Sequence, residues 1–503
     1  MKSAFVTLFL VVISSAGTCM AFSQEHSHFE SPLGKRYGSS EMSYIFSDEY
    51  LASAYRKIWI SLAKVEKELG LPITDEQILE MEIHRDEIDF SAVAAYEQQF
   101  RHDLMAHVHA YGDKCPRAKG IIHLGATSCL IKDNAEVAQQ KEAIAMINNK
   151  LAAVIARLSD FAERYKAVAT LAFTHMQPAQ PTTVGKRATL WIQDFLLDIE
   201  ELERLLDGMR YLGIKGATGT QASFLNLFNG DHEKVRLLEQ GVAKELGWLK
   251  IFPVTGQTYT RKQDSRILSV LAGINASAHK FASDLRLLSH LKEVEEPSGE
   301  TQIGSSAMPY KRNPMRSERV CGISRYVMNI ASNGDNTVAT QWFERTLDDS
   351  ANRRLSLPEA FLATDGVLDL MLDITKGIVV NEKIIASHLN EELPFMVTET
   401  ILMEAVKRGG DRQQLHERLR VHSLEAAKRV KQKGLKNDLL DRIAQDKAFL
   451  IRRREIESLV NPMQLIGRSV EQTESFLEEY VEPVLERYSG RPDYKVSLVS
   501  NYY

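Results

Sequence analysis

Residues 304–314, Gly-Ser-Ser-Ala-Met-Pro-Tyr-Lys-Arg-Asn-Pro, gather amides, hydroxyls and two cations in a segment that cannot be helical. Pro309 and Pro314 would each remove a backbone donor and clash within a helix. Gly304, Ser305 and Ser306 supply backbone N–H groups and hydroxyls, and Lys311 and Arg312 follow with positive charge. A loop of this composition suits a polar, anionic ligand. On composition alone the commoner reading is a helix-breaking surface turn.

Other residues with chemical potential are scattered along the chain. His175, within Phe-Thr-His-Met-Gln-Pro, falls at a break before a long helix and can exchange a proton near neutral pH. A capping or buried structural histidine is the competing reading. Arg101, His102 and Asp103 are consecutive, and His107 and His109 follow. Two histidines two apart on a helix point about 200° apart, and no carboxylate stands at ligand spacing, so no metal is expected. Asp103 is expected to fix or charge the neighbouring imidazole. The stretch 344–354 is rich in arginine, whose fork binds phosphate and carboxylate bidentately. A solvated, self-neutralised loop is its alternative, and Arg36 and Tyr37 carry the same two readings. No P-loop, GxGxxG or nucleophile elbow is present.

The elements that must position these residues read as helices. Ile144, Ile147, Leu151, Val154, Leu158 and Phe161 recur in steps of three and four. So do Ile192, Phe195, Ile199, Leu202, Leu206 and Met209, and also Ile267, Leu271, Ile274, Ala278, Phe281, Leu285 and Leu288. Sustained seams of this kind predict long helices in near-parallel packing, with outer seams left for other subunits. Alternating strand patterns are nearly absent. The expected fold is all-α: a long central helical bundle at 128–380, flanked by smaller helical domains at 25–127 and 381–503. The chemistry-bearing residues fall in the connections.

Composition sets the outer limits. The 503 residues carry a net charge of −5 with the cations dispersed, which argues against nucleic-acid binding as the main role. Four cysteines far apart, without a CxxC pair, fit a reducing compartment. Residues 1–24 disagree: Lys2, the apolar run 4–13 and the small residues 14–17 have the form of a secretory signal. The run is short for a membrane span. The cysteine pattern favours a cytoplasmic protein with residues 1–24 as an extension.

Residues 304–314 resemble the signature loop of the fumarase/aspartase superfamily, GSSxMPxKxNP, at all eight specified positions. Ala307, Tyr310 and Arg312 at the variable positions resemble those of its adenylosuccinate lyase family, of the animal type. Arg101-His102-Asp103, Gly125-Ala126-Thr127-Ser128, Thr174-His175, Gly256-Gln257-Thr258-Tyr259 and residues 345–354 are similar to that family's segments. The similarity runs from about residue 31 to at least residue 490.

The resemblance implies a cofactor-free lyase of purine biosynthesis. It would release fumarate from adenylosuccinate, giving AMP, and from the succinylated aminoimidazole-carboxamide ribotide. It implies a homotetramer with active sites shared between protomers, and no nucleic-acid or membrane partner. Ser305 would be the base and His175 the acid, with His102 orienting substrate or influencing His175. Arg36, Tyr37, Arg345, Ser350 and Arg354 would serve the nucleotide and its phosphate. Thr127, Ser128, Thr174, Gln257, Lys311 and Asn313 would serve the succinyl part, Lys311 and Asn313 stabilising the doubly charged carboxylate. Arg101, His102, Asp103 and Arg319 would also touch substrate. Argininosuccinate lyase activity is the nearest alternative, and a non-catalytic helical scaffold the more distant one. The arginine-rich 344–354 segment favours a phosphate-bearing substrate over the first. Retention of Ser305, His175 and Lys311 argues against the second.

Overall fold

The computed structural model describes residues 29–299, 303, 306–491 and 494–495. The extension at 1–24 and the proposed base Ser305 lie outside the described residues.

The chain builds its first large helix, α1 (Asp48–Glu68), behind Ser47, whose hydroxyl accepts the Tyr50 N–H as an N-cap. Three shorter helices follow, one at Asp75–Ile83 and then α2 (Phe90–Phe100) and α3 (Asp103–Lys114), the last two joined by a reversal in which Arg101 adopts φ 56°. Then come the long elements: α4 (Ser128–Arg164), α5 (Val184–Gly208), α6 (Lys262–His290), α7 (Met315–Ile330) and α8 (Asp348–Thr375). α4 packs on α5 and α8, and α6 packs on α5, α7 and α8, making one bundle.

The apolar seams hold it together. Ile144, Ile147, Leu151, Val154 and Leu158 of α4 are fully buried. So are Ile192, Phe195, Ile199 and Leu202 of α5, and Ile267 through Leu285 at each seam position of α6. Burial of each Val, Ile, Leu or Phe side chain among them contributes about 1.5–3 kcal/mol to folding. With 37 residues, α4 is about 55 Å long, and this length decides what one protomer can bring together.

Among the described residues, two small sheets interrupt the helices. β1 (Ala169–Thr174) and β2 (Gln177–Thr183) form an antiparallel hairpin between α4 and α5. β3 (Val294–Glu295) pairs with β4 (Val379–Val380) at the exit of α6. Beyond β4, α9 (Glu382–Met396) opens the last part of the chain. It lies on β1 and β2 and shares a second core in which Leu171 of β1 meets Leu389, Leu393, Ile401 and Ile456.

Among the described residues, no helix is long and apolar enough to cross a membrane.

Candidate active site

One group of predicted site residues meets where α4 begins. His102 is the N-cap of α3, and its Nδ1 accepts the Met105 N–H at 3.3 Å. An Nδ1 that accepts must lack a proton, so the proton sits on Nε2. Nε2 then donates to Ser128 Oγ at 3.3 Å. Thr127 occupies the N-cap position of α4 without a side-chain capping bond and Ser128 is the first residue, so both hydroxyls stand at a positive helix end.

Asp103 does not hydrogen-bond the imidazole beside it: its Oδ1 is 3.7 Å from His102 Nδ1. The expectation that Asp103 fixes His102 gives way to a different pairing. Its Oδ2 receives both Lys132, from the second turn of α4, and Arg354 at 2.6 Å. Burial would raise its pKa, but the bonds and charges of these cations prevail and hold the carboxyl well below its usual range.

Gln257 reaches the same place from the connection before α6. Its Nε2 donates to Ala217 O at 3.0 Å, and its Oε1 accepts from Cys129 Sγ at 3.4 Å. A glycine is required just before it. A Cβ on Gly256 would stand 2.5 Å from Glu344 O, and Gln257 N donates to that same oxygen at 2.9 Å. This close approach ties the Gln257 loop to the arginine-rich segment.

That segment is built on buried ions. Asp349 takes Arg261 Nε at 2.7 Å and Arg345 Nη1 at 3.2 Å. Arg261 also reaches Asp133 at 3.0 Å. Arg353 is held by Asp264 and Glu136, each at 2.6 Å, and donates to Tyr259 Oη at 2.7 Å. These bonds fix the first turn of α8, leaving Ser350 and Arg354 facing one cavity with Asp103 and Lys132.

A second group lies at the other end of the bundle. Thr174 and His175 are exposed at the tip of the β1–β2 hairpin rather than at a simple helix break. His175 and Met176 both have positive φ, 53° and 59°, the pattern of a type I′ hairpin turn that normally uses Asn-Gly. Arg187 secures the hairpin by donating to Leu171 O.

The signature loop leaves from β3 at this end, and Glu296 anchors its return. Glu296 Oε1 accepts from Ser317 N and Ser317 Oγ, both at 2.6 Å, and Oε2 accepts Arg316 N at 3.1 Å. Glu296 thus caps α7, and just before that helix Lys311 is exposed and Asn313 half-buried. Arg319 is half-buried one turn into α7.

Arg36 and Tyr37 lie elsewhere again, in a short helical turn against α8 near Gly366. Arg101 is exposed at the α2–α3 reversal.

His102 and His175 therefore stand apart. The hairpin springs from the far end of α4 and extends about 24 Å at most from Val168. Even if it folded straight back, the two histidines of one protomer would remain at least about 20 Å apart.

Lys132, Glu296 and the Arg261–Asp133–Asp349 network were not expected from the sequence. Lys132 alone left a signal, standing four residues after Ser128 and hence on the same helix face. Among the described residues, no group of three His, Cys, Asp or Glu side chains is placed to hold a metal ion.

The fold recurs in known proteins. Residues 84–329 match a family model described as lyase, and residues 394–476 match one described as adenylosuccinate lyase C-terminus. The fold is that of 3-carboxy-cis,cis-muconate lactonizing enzyme from Pseudomonas putida, at a TM-score of 0.77 and 21% identity over 91% of this chain and 99% of that one. It is also that of a fumarate lyase from Mesorhizobium sp. BNC1, at a TM-score of 0.74 and 20% identity over 90% and 98%. The adenylosuccinate lyase of Schizosaccharomyces pombe is 50% identical over 92% of this chain and 96% of its own length. That of Schistosoma mansoni is 49% identical over 92% and 97%. The chain is a lyase of the fumarase/aspartase superfamily. Within that superfamily it belongs to the adenylosuccinate lyase family.

Proposed function

We propose that the protein cleaves adenylosuccinate to AMP and fumarate, and the succinylated aminoimidazole-carboxamide ribotide to its free amine and fumarate. Both are β-eliminations that break a carbon–nitrogen bond. The activity is carried by similarity at about half of all positions along nearly the whole chain to proteins bearing that name. The arginine group around Arg354, set beside His102 and Ser128, supports a substrate that joins a phosphate to carboxylates.

Two chemical problems define the roles. The proton beside a carboxylate is weakly acidic, and an aryl-amine nitrogen leaves poorly without a proton. Ser305 removes the first proton, which requires its alkoxide to be stabilised by amides and cations in a dry site. Lys311 and Asn313 stabilise the doubly charged carboxylate that results. His175 protonates the departing nitrogen. His102, held as the Nε2–H tautomer, presents a donor beside Ser128 and orients the succinyl part together with Thr127, Ser128, Thr174 and Gln257. Arg345, Ser350, Arg354, Arg36 and Tyr37 take the nucleotide, and Arg101, Asp103 and Arg319 complete the contacts. Closure of the signature loop over substrate excludes water and delivers the base.

The distance of at least about 20 Å between His102 and His175 within one chain supports a shared site. The reading is a homotetramer in which the α4-end group of one protomer meets hairpins and signature loops of others. Leu190 and Leu197 of α5, seven residues apart on one face and exposed, are apolar surface available for such contacts. A cytoplasmic location suits Cys115, Cys129 and Cys321, which among the described residues are buried and form no disulfide.

Ultraviolet monitoring of purified protein with adenylosuccinate, with fumarate assayed in parallel, tests the activity. Equal amounts of AMP and fumarate are expected. No turnover by a folded tetramer would contradict the reading.

A further inference from the structure

The carboxylate of Asp103 is gripped twice on a single oxygen. Lys132 Nζ and Arg354 Nη2 both donate to Oδ2. The two cations differ in their freedom. Lys132 rises from the second turn of the rigid α4, and its side chain keeps 19% of its surface exposed. The Arg354 side chain keeps 63% and stands at the rim of a cavity of about 550 Å³ that both residues line. Among the described residues no other carboxylate pairs with Lys132, and Glu136, one turn further along α4, is held by Arg353 at 2.6 Å.

A phosphate monoester brings almost two negative charges at neutral pH, and the arginine fork fits it bidentately. If Arg354 turned from Asp103 to a phosphate, Asp103 would lose one of its two cations as a like charge arrived beside it. An unpaired, partly buried carboxylate there would oppose the phosphate and favour the original ion pair. Lys132 removes that obstacle because it cannot follow Arg354 outward and stays on Oδ2.

We propose that Lys132 is a positioning residue for phosphate binding: it keeps Asp103 paired and in place while Arg354 exchanges from that carboxylate to the substrate phosphate. The proposal rests on the assignment of Arg354 to the phosphate made above. Asp103 acts in this scheme as the internal anion of the free protein, holding Arg354 in the cavity until substrate arrives.

The test compares Lys132→Met and Lys132→Arg in the full-length protein, reading kcat, KM for adenylosuccinate, and inhibition by AMP, inorganic phosphate and fumarate. Lys132→Met should raise KM and the AMP and phosphate inhibition constants about tenfold, the loss of one charge-assisted contact. The kcat should stay within about twofold, fumarate inhibition should not move, and Lys132→Arg should restore phosphate binding to within about threefold. Unchanged KM and AMP inhibition, or AMP and fumarate inhibition weakened in step, would overturn the proposal. Should Lys132→Met fail to assemble, Lys132→Gln with AMP binding measured by calorimetry makes the same comparison. Arg354→Ala separates the two layers. A raised KM there with Lys132→Met unaltered removes only the role of Lys132, whereas an unaltered KM removes the phosphate assignment itself.

Discussion

The backbone of Tyr37 lies directly on Gly366 of α8. A Cβ placed on Gly366 would stand 2.4 Å from the Tyr37 carbonyl oxygen and 2.8 Å from its carbonyl carbon. Only a residue without a side chain lets the amino-terminal arm lie this close to the bundle. The neighbouring Ser39 N–H donates to Asp365 Oδ2 at 2.7 Å, which pins the arm at the same point.

Gly366→Ala should therefore lift the arm rather than disturb the core, because the contact is with backbone that cannot rotate aside. We expect a loss of about 1–3 kcal/mol in stability, typical of overpacking. Since Arg36 and Tyr37 ride on the arm, KM for adenylosuccinate should rise more than kcat falls. Steady-state kinetics beside a melting curve checks both. A variant with wild-type KM would remove the arm from substrate binding.

The buried arginines carry a prediction about stability alone. Arg353 satisfies Asp264, Glu136 and the Tyr259 hydroxyl together, and Asp264 is itself buried. Arg353→Met keeps much of the volume and leaves the carboxylates without their cation. Breaking a buried pair from one side costs about 3–5 kcal/mol. The melting temperature should fall by several degrees, and a variant melting with the wild type would show that the network contributes little.

Glu66 gives a prediction in pH. Its side chain is fully buried in α1, and neither carboxyl oxygen meets a hydrogen-bond partner among the described residues. Burial pushes its pKa up from 4.5 to about 9. Between those values the folded protein keeps a proton that the unfolded chain has released, so stability falls as pH rises across that window. The slope approaches about 1.4 kcal/mol per pH unit. Glu66→Gln cannot titrate and should flatten this slope, gaining on the wild type as pH increases. Denaturant midpoints at about pH 5.5 and about pH 8.5 compare the two, and parallel curves would contradict the assignment.

The helices were legible because burial along a long helix repeats every three to four residues, as Ile144 to Leu158 and Ile267 to Leu285 show. The hairpin around His175 was not. Its strands are short, β2 contains Pro178 and Pro181, and its turn uses His175 and Met176 where Asn-Gly would have announced it. The chain sequence Arg101-His102-Asp103 suggested a local imidazole–carboxylate pair, yet Asp103 bonds residues 29 and 251 positions away. Long-range ion pairs of this kind leave no local periodicity. The position of Lys132 beside Ser128 on one helix face was readable, but its partner was not.

The separation of His102 from His175 makes the shared active site the central claim, and two inactive variants test it directly. His102→Ala and His175→Ala, each expected to lose turnover as a pure tetramer, would be dissociated together and allowed to reassemble. If the two histidines of one site come from different protomers, mixed tetramers contain some sites with both intact, and activity must return. A mixture shown to contain mixed tetramers yet remaining as inactive as either parent would contradict the shared site.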